Sequence, residues 1–162
     1  MKRAAPEPVQ VVKTRRNSAL EALKARVPYA TYLGIEFERH GDELTAVMPF
    51  RADLVGNPAI QALHGGATAA FLEITAQVAL SWSVIWPIVE AGGAVGTLPA
   101  LPKTIDITVD YLRSGLPRDA YARAQITRAG RRFASVQAQA WQDNYERPFA
   151  MSTGHFLMQD YD

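Results

Sequence analysis

Apolar and polar positions alternate along the chain with helical and strand periods that predict a mixture of both elements. Apolar residues at helical spacing over 19–27 predict a helix that begins at the capping residue Asn17 and is stopped by Pro28. Residues 34–50 follow the two-residue period of strands on either side of a Gly-containing turn, which predicts a hairpin. Residues 51–62 contain a Gly-Asn-Pro turn signal and are expected to form a loop.

The longest apolar run, residues 66–86, predicts a long helix that Pro87 together with Gly92 and Gly93 ends. This helix is apolar nearly all round, so we expect protein to surround it. Because Glu73 and Gln77 lie within it, the run is poorly suited to lipid, and no membrane contact is expected.

The C-terminal half is typical of antiparallel strands. From residue 104 to 112, Ile105, Ile107, Val109 and Tyr111 alternate with polar residues. Strands gathered around one buried helix indicate an α+β fold and not a βαβ repeat. The predicted strands are 104–112, 121–128, 132–141 and 149–158.

Composition narrows the classes of protein that remain. A chain of 162 residues with 48% hydrophobic and 20% charged residues is typical of one globular domain. The absence of cysteine excludes disulfides, Cys-ligated metal sites and a thiol nucleophile, and makes a reducing cytoplasm the easier location. A net charge of +1 gives no reason to expect a nucleic-acid partner.

Basic residues concentrate near the N-terminus, where neither a transit peptide nor an apolar secretory segment is recognisable. We expect residues 1–16 to form a solvated basic arm and residues 17–162 to form a single domain.

The candidate chemistry lies at the start of the long helix. Two glycines, Gly65 and Gly66, allow close backbone approach, and free N–H groups at a helix start suit an anion or an oxyanion. The same glycines could simply allow a tight entry into the helix. Glu73 is the only ionisable residue between Gly65 and Val89. A buried carboxylate is costly without a partner, so it indicates function, unless it reaches solvent or pairs with an arginine.

These residues carry a family resemblance. Asn57, the run His64-Gly65-Gly66 and Glu73, nine residues after the histidine, together with the strand 108–115, resemble the hotdog-fold thioesterases of the phenylacetate-degradation (PaaI-like) type. The resemblance implies a long helix wrapped by a curved antiparallel sheet of five to six strands. It also implies homodimers with active sites at the subunit interface, often paired into homotetramers.

The resemblance assigns roles to individual residues. Glu73 matches the catalytic carboxylate, which acts as a general base on water or as a nucleophile through a mixed anhydride. The Gly65 N–H matches the donor that polarises the thioester carbonyl. His64 matches a residue that orients the loop, and Thr104 a hydroxyl that positions water. Gln77 falls where some relatives carry threonine.

One departure concerns the upstream amide. Asn57 lies seven residues before His64, one more than is common in relatives. Either the loop has a one-residue insertion or Gln61 has taken the role, and we prefer Asn57. Gly66 is expected near the substrate. The phosphates of coenzyme A call for basic residues, although these also fit a solvated hairpin tip. The candidates are Arg113, Arg128, Arg131 and Arg132.

The implied function is hydrolysis of an acyl-CoA thioester, with coenzyme A as part of the substrate, no other cofactor and no metal. Two alternatives stay open. The basic arm favours a non-catalytic acyl-CoA-binding regulator, and the same fold also supports hydratases or dehydratases, which pair a histidine with a carboxylate. The acyl group stays open, because Phe71, Trp82, Trp86 and Tyr111 either line its pocket or belong to the core.

Overall fold

The structure, a computed structural model, describes residues 7–41, 43–93 and 98–159. Residues 1–6 of the expected basic arm lie outside the described residues, as does Asp42 of the predicted hairpin turn. In chain order the elements are α1 (Val9–Ala25), α2 (Pro28–Leu33), β1 (Glu36–His40), β2 (Glu43–Met48), a short 3₁₀ turn (Ala52–Leu54), β3 (Val55–Asn57), β4 (Ala62–Leu63), α3 (Gly65–Glu90), β5 (Lys103–Tyr111), β6 (Ala120–Ala129), β7 (Phe133–Trp141) and β8 (Ala150–Leu157).

The long helix α3 packs on one face of a six-stranded antiparallel sheet. The strand order is β1-β2-β6-β7-β8-β5, so β5 crosses over to the far edge and pairs with β8. Residues from α3 and from the facing side of the sheet form the core, with Phe71, Leu72, Val78 and Leu80 fully buried. The predicted α+β fold and the five to six antiparallel strands around one helix are therefore confirmed.

The predicted start of the first helix is wrong. Helix α1 begins at Val9, eight residues before Asn17, and its N-terminus has no side-chain cap. Tertiary contacts explain the extension, because Arg15 donates to the Val89 carbonyl oxygen at 3.1 Å and Arg16 pairs with Glu90 at the end of α3. The expected boundary between residues 16 and 17 falls inside this helix.

The predicted ends of two other elements also differ. Pro28 follows the end of α1 and is itself the first residue of α2. Proline is well tolerated there, because the first N–H groups of a helix have no intrahelical acceptor. Pro87 does not end α3, which continues to Glu90. The helix stops at the predicted glycines instead, where Gly92 adopts a positive φ of 80° and its N–H donates to the Val89 carbonyl oxygen.

The segment 51–62 is more than the predicted loop, because β3 and β4 form a small two-stranded sheet within it. This sheet brings Gly56 against His64. A Cβ on Gly56 would lie 2.7 Å from the His64 Cα, so only glycine fits there without movement of the backbone. The small sheet thus sets where α3 begins.

The hairpin β1–β2 and the hairpin β6–β7 are confirmed. The regular alternation predicted for residues 104–112 is wrong at its start, because the register of β5 against β8 shifts between Thr104 and Asp106. This β-bulge adds a residue at Ile105, which is 54% exposed, and it turns Thr104 towards α3.

Within the described part of the chain, α3 is the one helix whose length and composition would allow it to cross a membrane. More than half of its most apolar stretch is buried within the fold. Core helices share this property, so the finding is weak evidence for a membrane span.

Candidate active site

The first turn of α3 is capped by the side chain of the residue that precedes the helix. His64 is the N-cap residue, and its Nδ1 accepts a hydrogen bond from the Gly66 N–H at 2.9 Å. The His64 carbonyl accepts from Thr68 and begins the helical ladder. The first N–H groups of a helix have no intrahelical acceptor, and no described residue accepts from the Gly65 N–H. This donor therefore lies free at the positive end of the helix dipole.

Tyr111 forms a hydrogen bond with the same glycine, Gly65, through the carbonyl group. Its hydroxyl, at the end of β5, donates to the Gly65 carbonyl oxygen at 2.7 Å. A Cβ on Gly65 would lie 3.3 Å from that hydroxyl. Sequence reasoning placed Tyr111 in a pocket or the core and missed this contact, because it depends on the crossover that brings β5 beside α3.

Glu73 lies two turns further along α3 and is half-buried. The Thr104 hydroxyl donates to Glu73 Oε1 at 2.6 Å, a short charge-assisted hydrogen bond that fixes the carboxylate. No described residue binds its second oxygen, and no described arginine pairs with it. A carboxylate oriented by one hydroxyl, with its other oxygen free, can accept a proton from water or attack a carbonyl carbon.

Gln77 follows Glu73 on the same stripe of α3. Its side-chain amide donates to the Pro102 carbonyl oxygen at 2.7 Å, just before β5 begins. This contact ties α3 to the start of the strand that carries Thr104. The structure therefore brings together three of the predicted site residues, Glu73, Gln77 and Thr104.

The side chains of the two candidate amide residues form hydrogen bonds with neighbouring residues of the same loop. Asn57 Oδ1 accepts from the Ala59 N–H at 3.1 Å, and Gln61 Nε2 donates to the Pro58 carbonyl at 2.9 Å. Gln61 also has a positive φ of 52°. Both side chains are exposed, and among the described residues neither forms a hydrogen bond with Glu73 or the His64 ring. Both amides lie in the turn that precedes His64, and the choice between them stays open.

The candidate arginines do not form one cluster. Arg113 follows the end of β5 that carries Tyr111, whereas Arg128, Arg131 and Arg132 lie at the β6–β7 turn. That turn borders the other end of β5, since Phe133 and Lys103 both face Leu157 in the sheet. The length of β5 separates the two groups by about 25 Å. All four side chains are exposed.

A histidine–carboxylate pair is present, but it lies on the face of the sheet that points away from α3 and Glu73. His155 Nδ1 and Asp106 Oδ1 are 2.7 Å apart, and His155 stacks on Phe133. The neighbours of His155 along β8, Gly154 and Phe156, are buried, so His155 faces outward, away from α3. This pair depends on the register of β5 against β8, which the sequence alone does not give.

Gly65 and Glu73 lie far apart within one chain. Eight residues separate them along α3, which is about 12 Å at the helical rise. One thioester carbonyl cannot touch both groups at once, because each must approach within about 3 Å.

Comparison with known proteins identifies the family of the chain. A family model described as the N-terminal domain of acyl-CoA thioesterases matches residues 55–157, more than half of the chain. The chain belongs to the acyl-CoA thioesterase family. This thioester hydrolase carries all of its predicted site residues within the matched range, while α1, α2 and the β1–β2 hairpin lie before it.

Relatives of this acyl-CoA thioesterase support the assignment. The medium/long-chain acyl-CoA thioesterase YigI of Escherichia coli K12 is 31% identical over 70% of this chain and 74% of its own length. A phenylacetic acid degradation-related protein from Ralstonia eutropha JMP134 is 18% identical, with a TM-score of 0.65 over 86% of this chain and 98% of that one. The BH2602 protein of Bacillus halodurans, solved with CoA, is 23% identical, with a TM-score of 0.61 over 98% of both chains. These two structures share the fold of this chain, and the family model and YigI confirm the predicted acyl-CoA thioesterase family.

Proposed function

We propose that this enzyme hydrolyses acyl-CoA thioesters with the Glu73 carboxylate as the reacting side chain and the Gly65 N–H as the oxyanion donor. The observation that carries this proposal is the 2.6 Å hydrogen bond from Thr104, which holds Glu73 in a half-buried position with one oxygen free. The free Gly65 N–H at the start of α3 supplies the second requirement, a donor where negative charge develops.

The reaction has two routes from these groups. In the first, Glu73 takes a proton from water as the water oxygen attacks the carbonyl carbon. The carbon–sulfur bond breaks as the tetrahedral intermediate collapses, and Glu73 gives its proton to the departing CoA sulfur. In the second, Glu73 itself attacks, CoA leaves as the thiolate, and water then hydrolyses the anhydride. Both routes end in free acid, free CoA and an ionised Glu73, and both place negative charge beside Gly65.

The substrate class follows from the relatives. YigI is named for medium- and long-chain acyl-CoA, and the Bacillus halodurans structure contains CoA. We propose the same class here, with a medium-chain acyl group as the first substrate to test. Arg113 and the arginines of the β6–β7 turn are the exposed cations available for the CoA phosphates.

The separation of about 12 Å between Gly65 and Glu73 supports an active site shared between two subunits. We propose a homodimer in which Glu73 of one subunit acts on a thioester whose carbonyl is bound at Gly65 of the other. Strand β5 lies at an edge of the sheet and carries Thr104 and Tyr111, so it is the strand placed to approach a second copy. Pairing of such dimers into a homotetramer is the further expectation.

Free-thiol release from short-, medium-, long-chain and aryl acyl-CoA tests the reaction. Glu73→Gln should lower the rate by about 10²–10⁴-fold, since the amide neither accepts the proton nor attacks. Glu90→Gln is the matched control, because Glu90 lies on the same helix and pairs with Arg16 at its far end. A Glu73→Gln enzyme with wild-type turnover would contradict the proposal.

Mixing two inactive variants tests the shared site. Gly65→Pro removes the donor N–H at the first helical position, where proline is well tolerated. If the groups come from different subunits, refolding Gly65→Pro together with Glu73→Gln should restore part of the activity, because half of the sites in mixed dimers are intact. No recovery, with both variants folded and dimeric, would place both groups of a working site in one subunit.

A further inference from the structure

A cavity lies on the opposite side of α3 from Glu73. It has a volume of about 550 Å³ and opens where β2 and β6 part from each other. These strands pair only from Ala46 to Met48 against Ala120 to Ala122, so the next residues of β6 line the opening instead of bonding to β2. This volume is within the range of small-molecule sites.

The position of the cavity separates it from the catalytic residues. Trp82 and Trp86 line it, and at about 100° per residue they lie roughly half a turn around α3 from Glu73. Gln77, by contrast, lies within about 40° of Glu73. Glu73, Thr104 and Gly65 are not among the residues that line the cavity.

The floor of the cavity is apolar. Trp82 and Trp86 pack against each other at 5.5 Å between ring centroids, and Leu44 and Ile126 complete the floor. Trp82 is 3% exposed, and its indole N–H has no acceptor among the described residues. An apolar ligand body that packs on these rings is stabilised by its removal from water.

Arg123 lies at the opening of the cavity, and several contacts hold its guanidinium in place. Arg123 Nε donates to the Thr45 hydroxyl at 2.9 Å, and Arg123 Nη1 pairs with Glu43 at 2.8 Å. The guanidinium also lies over the rings of Trp141 and Tyr145, at 5.5 and 5.4 Å from their centroids. Its Nη2 has no polar partner within the described part of the chain. The guanidinium is therefore held in place with one donor to spare.

We propose that this cavity binds an organic carboxylate with an aliphatic body. The ligand carboxylate accepts from Arg123 at the opening, and the aliphatic body lies against Trp82 and Trp86. Glu43 competes for the same guanidinium, and its side chain is 55% exposed, so it can turn into solvent as the ligand binds. The site is independent of the thioesterase chemistry proposed for Glu73.

Tryptophan fluorescence gives a direct test, because Trp82 and Trp86 line the cavity and Trp141 stacks beside Arg123. Titration of the full chain with decanoate should change the emission saturably. Decanol, which lacks the carboxylate, and acetate, which lacks the aliphatic body, should each bind at least tenfold more weakly. Absence of a saturable change with decanoate would overturn the site, and equal binding of decanol would overturn its assignment to a carboxylate.

Variants locate the binding. Arg123→Gln should weaken decanoate binding about tenfold, whereas Glu43→Gln should strengthen it by removing the competing carboxylate. Arg118→Gln, which breaks a surface ion pair with Asp143 away from the cavity, is the matched control and should change nothing. Glu73→Gln should also bind as wild type does. Loss of binding in Glu73→Gln, or wild-type binding in Arg123→Gln, would place decanoate elsewhere.

Discussion

The hydrogen bond between Thr104 and Glu73 gives the most direct test of how the site is organised. Thr104→Val keeps the shape of the side chain and its suitability for a strand, and removes only the hydroxyl. Because that hydroxyl is the one group among the described residues that binds the carboxylate, Glu73 should lose its fixed orientation. In the proposed mechanism, Thr104 is a positioning residue that acts through Glu73.

The size of the effect follows from the contact. A hydrogen bond to a charged group contributes about 1.5–3 kcal/mol, and the lower end applies because Glu73 is only half-buried. About 1.5 kcal/mol corresponds to roughly a tenfold loss of rate. We expect this loss in kcat with little change in KM, because Thr104 holds the reacting group and not the CoA.

The assay is free-thiol release from a medium-chain acyl-CoA, with the melting temperature measured for every variant. Thr104→Ser, which keeps the hydroxyl, should retain most of the rate. Thr108→Val is the matched control, since Thr108 lies on the same strand but is exposed on the outer face. Wild-type kcat in Thr104→Val, or an equal loss in Thr104→Ser, would refute the positioning role.

Three further predictions concern stability. Gly56→Ala should destabilise the fold by about 1–3 kcal/mol and lower activity, because its Cβ would meet the His64 backbone at 2.7 Å; chemical denaturation and thiol release measure both. Burial lowers the pKa of Lys24, but hydrogen bonds to Glu36 and Glu21 outweigh it and leave the pKa above 10.5. Lys24→Gln should therefore be less stable than wild type at neutral pH. As the pH rises above the pKa of Lys24, the wild-type lysine loses its charge, and the urea midpoints of the two proteins should converge. Removal of residues 1–16 should lower the melting temperature, since it cuts α1 and two contacts to the end of α3, while turnover below that temperature persists.

Elements with local signals were the ones that the sequence could predict. The β1–β2 and β6–β7 hairpins depend on neighbouring residues and turn signals, and α3 depends on a long apolar run. The early start of α1 could not be predicted, because Val9 to Arg16 is helical through contacts with Val89 and Glu90, far away in the chain. The passage of α3 through Pro87 has a related cause, since the same contacts hold its last turn.

The site shows the same limit at the level of single residues. The sequence could single out Glu73 and Gly65 as candidates because each is unusual in its own segment, a lone carboxylate and a helix-entry glycine. Tyr111 was missed as a partner of Gly65 because that contact requires β5 to lie at the far edge of the sheet. Long-range pairing of this kind leaves no local pattern.

The contact between Thr104 and Glu73 depends on an irregularity. Strict alternation would place Thr104 on the same face as Asp106 and Asp110, pointing away from α3. The bulge at Ile105 adds one residue, so that Thr104 faces the helix while Asp106 keeps its outward pairing with His155. One extra residue in an edge strand therefore decides whether the carboxylate has its hydrogen-bond donor. In the proposed mechanism, the bulge is therefore as necessary as Glu73 itself, although it contributes no reactive group.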